Sequence, residues 1–120
     1  LEGSSDTPLV ELDKDNGIFR FEGRSLPEDV IKFYAPIQNW FADYCASPNK
    51  ETVIHFNLEY FNSSTARIIV KMLIGLEEIR QKGMSEVSIS WHYRERDEVM
   101  LERGMELKSV LDIPFDMIEG

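Results

Sequence analysis

Apolar side chains recur along this chain in two rhythms, and the switches between them mark out its elements. Leu9, Val10 and Leu12 are followed by Asp13-Lys14-Asp15-Asn16-Gly17 and then by Ile18, Phe19 and Phe21. Asn-Gly between two apolar runs signals a tight hairpin, because these residues tolerate the positive φ such turns require. The pattern predicts strands over 8–13 and 17–22. In the connector that follows, Ser25 is read as the cap of a helix, with Pro27, Glu28 and Asp29 in its first turn. From 28 to 46 the apolar positions Val30, Phe33, Tyr34, Ile37, Trp40, Phe41, Tyr44 and Cys45 fall three and four apart, the spacing of an amphipathic helix. Pro36 removes one backbone donor and predicts a kink near Lys32.

Period two returns over 51–61, where Ile54, Phe56, Leu58 and Tyr60 alternate with His55, Asn57 and Glu59. A second helix is predicted over 63–82, with Ile69, Met72, Leu73, Leu76 and Ile79 as its stripe and Gly83 as its stop. Residues 85–93 read as a strand and 97–108 as a shorter helix interrupted at Gly104. A last strand is predicted over 110–118, where Pro114 implies an edge position. The order is ββαβαβαβ. Clean alternation in the middle strands means that one sheet face is packed and the other partly wet. The expected fold is α/β, a mixed sheet with its helices mainly on one face. Residues 1–6 are expected to be a disordered tail or a remnant of truncation, and 7–120 a single domain.

Composition narrows the function. With 120 residues, 42% of them hydrophobic and 29% charged, the chain suits one ordinary hydrophobic core. Thirteen Lys and Arg against 22 Asp and Glu give a net charge of −9, which repels phosphate backbones and anionic lipid heads. Nucleic acid and membrane insertion are therefore poor partners. One cysteine, Cys45, allows no internal disulfide, and no secretory signal is visible, so a reducing, cytoplasmic setting is expected. HExxH, CxxC, GxSxG, P-loop and GxGxxG patterns are absent.

The segment with chemical promise is Glu59-Tyr60-Phe61-Asn62-Ser63-Ser64-Thr65-Ala66-Arg67, which joins a core strand to a helix N-terminus. Asn, Ser and Thr are favoured N-caps, because their side-chain oxygens accept from the first free amides. Capping alone explains one such residue, and Ser63 is read as the cap. Three consecutive hydroxyls exceed that need. A helix N-terminus also suits a phosphate, through its free amides and partial positive charge.

The chain resembles the SiaC family of bacterial regulatory phosphoproteins, which are small STAS-like domains. The resemblance runs from Thr7-Pro8 to Pro114-Phe115. It is carried by Gly23-Arg24-Ser25-Leu26-Pro27-Glu28, Phe33-Tyr34-Ala35-Pro36 with Trp40, and Tyr60-Phe61-Asn62-Ser63-Ser64. Trp91-His92-Tyr93, Asp97-Glu98-Val99-Met100-Leu101-Glu102 and Gly104 complete it. In topology it is also similar to anti-sigma-factor antagonists, whose corresponding helix starts with Asp-Ser-Ser or Asp-Ser-Thr. The resemblance implies a non-enzymatic, partner-switching signalling protein that needs no cofactor. A dedicated kinase phosphorylates a hydroxyl after the motif Asn, and a PP2C-type phosphatase removes the phosphate. The unmodified form binds an output enzyme, in studied systems a diguanylate cyclase of cyclic di-GMP and biofilm regulation. By position the acceptor is Ser63, where family members often carry Thr, with Ser64 second and Thr65 third. Phe61, Asn62, Ser64, Arg24, Asp97 and Glu98 are the expected partner surface.

Two rival readings stay open. A structural or adaptor domain would use the hydroxyls only as caps. A small enzyme would use His55 and His92, with Glu59 or Glu86 completing a metal site. Solvated histidines without a metal are the plainer reading of those two positions. Cys45, on the apolar stripe, reads as an inert thiol, and Arg94-Glu95-Arg96-Asp97-Glu98 as a solvated charge run. The aromatic series Phe33, Tyr34, Trp40, Phe41 and Tyr44 reads as core.

Overall fold

The computed structural model describes residues 2–120. Strand β1 (Leu9–Asp13) pairs antiparallel with β2 (Ile18–Ser25), and Gly17 takes a positive φ of 67° in the turn between them. Helix α1 (Val30–Ala46), strand β3 (Glu51–Phe61), helix α2 (Ser63–Gln81), strand β4 (Glu86–Tyr93), helix α3 (Glu98–Val110) and strand β5 (Phe115–Glu119) follow. The sheet runs β1-β2-β3-β4-β5, parallel from β2 onward. Each step from β2 to β5 moves to the next strand in the same direction. Right-handed crossovers then place all three helices on one face.

That face holds the core. Phe19, Phe21, Ile54, Phe56, Leu58, Val87, Ile89 and Trp91 meet Tyr34, Ile37, Phe41 and Tyr44 of α1, Ile69, Met72, Leu73 and Leu76 of α2, and Met100 and Leu107 of α3. Between them lie the alternate strand positions Arg20, Glu22, His55, Asn57, Glu59 and His92, which line the open face. Arg20 there reaches Glu11 at 2.6 Å and Glu22 at 3.2 Å, and Arg94 reaches Glu59 at 2.6 Å.

Several expected boundaries move. Ser25 does not cap α1. It ends β2 and is fully buried, while the Asp29 side chain accepts from the Lys32 amide at 3.1 Å. Pro27 disfavours helical geometry at Leu26, so the helix begins later, and Glu28 and Asp29 lie before its first turn. Helix α1 continues through Pro36, which lies on its exposed side. Helix α3 likewise runs unbroken through Gly104. The last strand starts after Pro114, not at 110, because α3 extends to Val110. It does occupy an edge, and the Pro114 carbonyl still accepts from Ile89 at 2.9 Å. At the start of the chain Ser4 donates to the Thr7 carbonyl at 2.8 Å, and the Asp6 carbonyl accepts from Leu26 at 2.8 Å. Leu1 lies outside the described residues.

Candidate functional site: a hydroxyl turn on a buried relay

All three helices start at the carboxyl ends of the parallel strands, so their caps Asp29, Asn62 and Asp97 lie along one edge of the sheet. This is the edge where open α/β sheets place their functional groups. The turn between β3 and α2 is pinned there. Asn62 is extended, at φ −85° and ψ 174°, and its side chain accepts from the Thr65 amide at 2.9 Å. Asn62 is therefore the cap, and Ser63, expected in that role, is the first helical residue. Four successive residues were competent caps, and the first one able to reach an amide three positions on takes the role.

This assignment separates the three hydroxyls. Ser63 and Ser64 are exposed, and neither hydroxyl has a hydrogen-bond partner among the described residues. Thr65 is fully buried, which removes it as a phosphoacceptor. Its hydroxyl donates to the Ser25 carbonyl at 3.2 Å and lies 3.0 Å from the Ser25 hydroxyl, which in turn lies 2.6 Å from that of Tyr34. One assignment lets every hydroxyl donate once: Tyr34 to Ser25, Ser25 to Thr65, and Thr65 to the Ser25 carbonyl. Burial raises the Tyr34 phenol above its ordinary value, which keeps it a donor. The Ser25 carbonyl also accepts from the Asn62 amide at 3.1 Å. The end of β2, helix α1 and the start of α2 thus share one dry hydrogen-bonded node directly beneath the exposed serines. Sequence reasoning missed this node, although Ser25 and Tyr34 stand in two of the segments that carry the family resemblance and Thr65 directly follows a third.

Replacing Thr65 by Val keeps the shape and removes the hydroxyl. Thermal or chemical denaturation is expected to show a loss of about 1–3 kcal/mol, from the Ser25 hydroxyl left without its acceptor. Thr65→Ser, which keeps the oxygen, should recover most of it.

The remaining expected site residues divide by burial. Phe61 is 2% exposed and packs edge-on to Trp91 at 5.9 Å, so it is core and not partner surface. Arg24 is exposed, with its guanidinium 5.6 Å from the Tyr60 ring centroid, and Arg103 lies 4.8 Å from that of Phe61. Asp97 is committed to capping α3, accepting from Met100 at 3.1 Å, whereas Glu98 is exposed in the first turn.

The rival site is only half assembled. His55 Nδ1 and His92 Nε2 lie 3.3 Å apart on the open face. Glu59 is bonded to Arg94, and Glu86 stands six residues along β4 from His92, about 20 Å away. Among the described residues no three His, Cys, Asp or Glu side chains converge. Burial, then the neighbouring His92 and Arg20, hold His55 below the ordinary imidazole value. Cys45 is half-buried, and burial followed by the Glu78 charge pushes its thiol up, away from the reactive thiolate.

Fold and site together define a small α/β regulatory domain that presents two accessible serines on a rigid strand-to-helix junction. The chain belongs to the SiaC family of regulatory phosphoproteins, whose family model matches residues 1–120. It is similar to SiaC of Pseudomonas aeruginosa in the crystal structure of the diguanylate cyclase SiaD with its activator SiaC. That match has 27% identity, covers 100% of this chain and 98% of the other, and has a TM-score of 0.93. The structure of apo-SiaC from the same organism matches at 27% identity over 98% and 95% of the two chains, with a TM-score of 0.89. An uncharacterised protein of P. aeruginosa is 28% identical over 115 residues, 96% of this chain and 90% of the relative. Among the described residues no helix is long and apolar enough to cross a membrane.

Proposed function

We propose that this protein is a phosphorylation-switched binding protein whose unmodified form docks on and regulates an output enzyme, a diguanylate cyclase by analogy with the SiaC complex. Ser63 is the acceptor, with Ser64 second. A dedicated protein kinase writes the phosphate in the cytoplasm and a PP2C-type phosphatase erases it. The domain acts by contact and not by catalysis. Asn62, Ser64, Arg24 and Glu98 contribute to the docking surface around the turn.

The observation that carries this reading is the division of labour at the turn. Capping is done by Asn62 and the packing node by Thr65, so the Ser63 hydroxyl is exposed and structurally unemployed. Neither the cap nor the packing node accounts for the Ser63 hydroxyl, which stays accessible to a modifying enzyme. That position also favours an added anion, through the helix dipole.

The test is to incubate the chain with its candidate kinase and ATP and read intact mass. One phosphate is expected, placed on Ser63 by fragmentation and absent from Ser63→Ala. A phosphate that persists in Ser63→Ala and disappears in Ser64→Ala would move the acceptor by one residue. Modification of neither serine would overturn the switch.

A further inference from the structure

The open sheet face carries a second feature, independent of the turn. His55 on β3 and His92 on β4 are separated by 37 positions in sequence, yet their Nδ1 and Nε2 atoms stand 3.3 Å apart with ring centroids at 5.6 Å. A tetrahedral metal bound at about 2.0–2.1 Å to two imidazoles holds their nitrogens about 3.3–3.4 Å apart. We propose that His55 and His92 form a two-histidine half-site for a borderline divalent metal of the Zn2+, Ni2+ or Cu2+ class, with water completing the shell.

Three observations support it. The rings meet almost end to end, so a swing of about 35° in each brings both lone pairs onto one point, and ring torsions of this kind are soft. The backbones need not move, because neighbouring parallel strands already fix the spacing. Second, the two ring nitrogens face one another at hydrogen-bond distance, so at least one of them already presents a lone pair to the other. Binding then requires only that the proton shared along the N···N contact move to the far nitrogen of its own ring. Third, the local charge does not oppose a cation. Arg20 faces His55 but is held by Glu11 and Glu22, so this group sums to one positive and two negative charges, net −1. Glu22 and Asn57 line the same hollow, of about 380 Å3, and can meet the metal's water ligands. Imidazole pairs without carboxylate ligands favour this metal class over Mg2+ or Ca2+.

The test uses the full chain and ZnCl2 alone, with titration calorimetry at neutral pH and the imidazole resonances followed by NMR. The expected result is one Zn2+ per chain, both histidine rings shifting together, and Mg2+ without effect. His55→Gln and His92→Gln should each weaken uptake at least about tenfold, the scale of losing even an outer-shell partner, and the double variant should abolish it. Both positions lie on the water-facing side of the sheet, and an unchanged denaturation midpoint would certify the fold. No uptake by the natural chain, uptake unaltered in the double variant, or dependence on only one of the two rings would each overturn the pair. None of these outcomes depends on phosphorylation, so failure here leaves the switch untouched, and failure of the switch leaves this site untouched.

Discussion

Gly104→Ala is expected to destabilise the fold by about 2 kcal/mol, even though alanine is the better helix former. In the middle of a helix the exchange alone would stabilise by about 1 kcal/mol. Here an added Cβ would stand 2.5 Å from Trp91 Cδ1, 2.6 Å from its Nε1 and 2.7 Å from Met117 Cε. Met117 is flexible and can turn aside. Trp91 cannot, because Phe56, Phe61 and Phe115 surround it with centroids at 5.4, 5.9 and 6.3 Å, and its indole donates to the Met100 carbonyl at 3.0 Å. Relief therefore requires α3 to lift from the sheet. Overpacking of this kind costs about 1–3 kcal/mol and sometimes more, enough to outweigh the propensity gain. A lowered midpoint in denaturant with unchanged slope is the expected reading, and Trp91 fluorescence reports the same displacement. A gain in stability would show that α3 rides further from Trp91 than the contact distances state.

This glycine also shows where the sequence could and could not be read. Strand β3 is legible as far as Glu59, because its polar and apolar positions alternate and land on chemically different faces; beyond that a register shift against β2 turns Tyr60, expected on the packed face, outward and buries Phe61 instead. The core stripe of α2 is legible for the same reason at a longer period. Gly104 reads as an interruption, because local propensity knows only its cost in a helix. The benefit comes from Trp91, thirteen residues away in sequence and on another element. Ser25 is misread in the same way: alone it looks like a cap, and only the approach of α2, forty residues on, makes it the centre of a relay. At the turn itself the residue class was readable but the roles were not. Asn62, Ser63, Ser64 and Thr65 are all capable of capping, and which one caps depends on where β3 lets go of the sheet. The two histidines illustrate the reverse case. Their facing was visible from alternation, but their meeting required knowing that β3 and β4 are neighbours in parallel register.

Phosphorylation of Ser63, or Ser63→Asp as its weaker mimic, is expected to have two effects of opposite sign. The first is on the domain. Ser63 opens a 19-residue helix, so added negative charge meets the positive end of the dipole, and Arg67 stands one turn further along α2, exposed and without an ion-pair partner among the described residues. Stability should rise by about 0.3–1 kcal/mol, and the Ser25–Tyr34–Thr65 node should stay intact because Ser63 takes no part in it. The second effect is on docking. A dianion with its hydration shell placed at the centre of a contact must be paired by the partner or be buried bare. Burying it bare costs about 3 kcal/mol or more, which lowers affinity for the output enzyme roughly a hundredfold. The single charge of Asp should give a smaller loss, and Ser63→Ala should bind as tightly as the natural chain. Calorimetry of binding together with denaturation of the isolated domain separates the mechanisms. A modified domain that is more stable yet binds less is a surface switch. Loss of both stability and binding would mean that the phosphate acts by melting the turn, and equal affinity of all three forms would remove Ser63 from control of the complex.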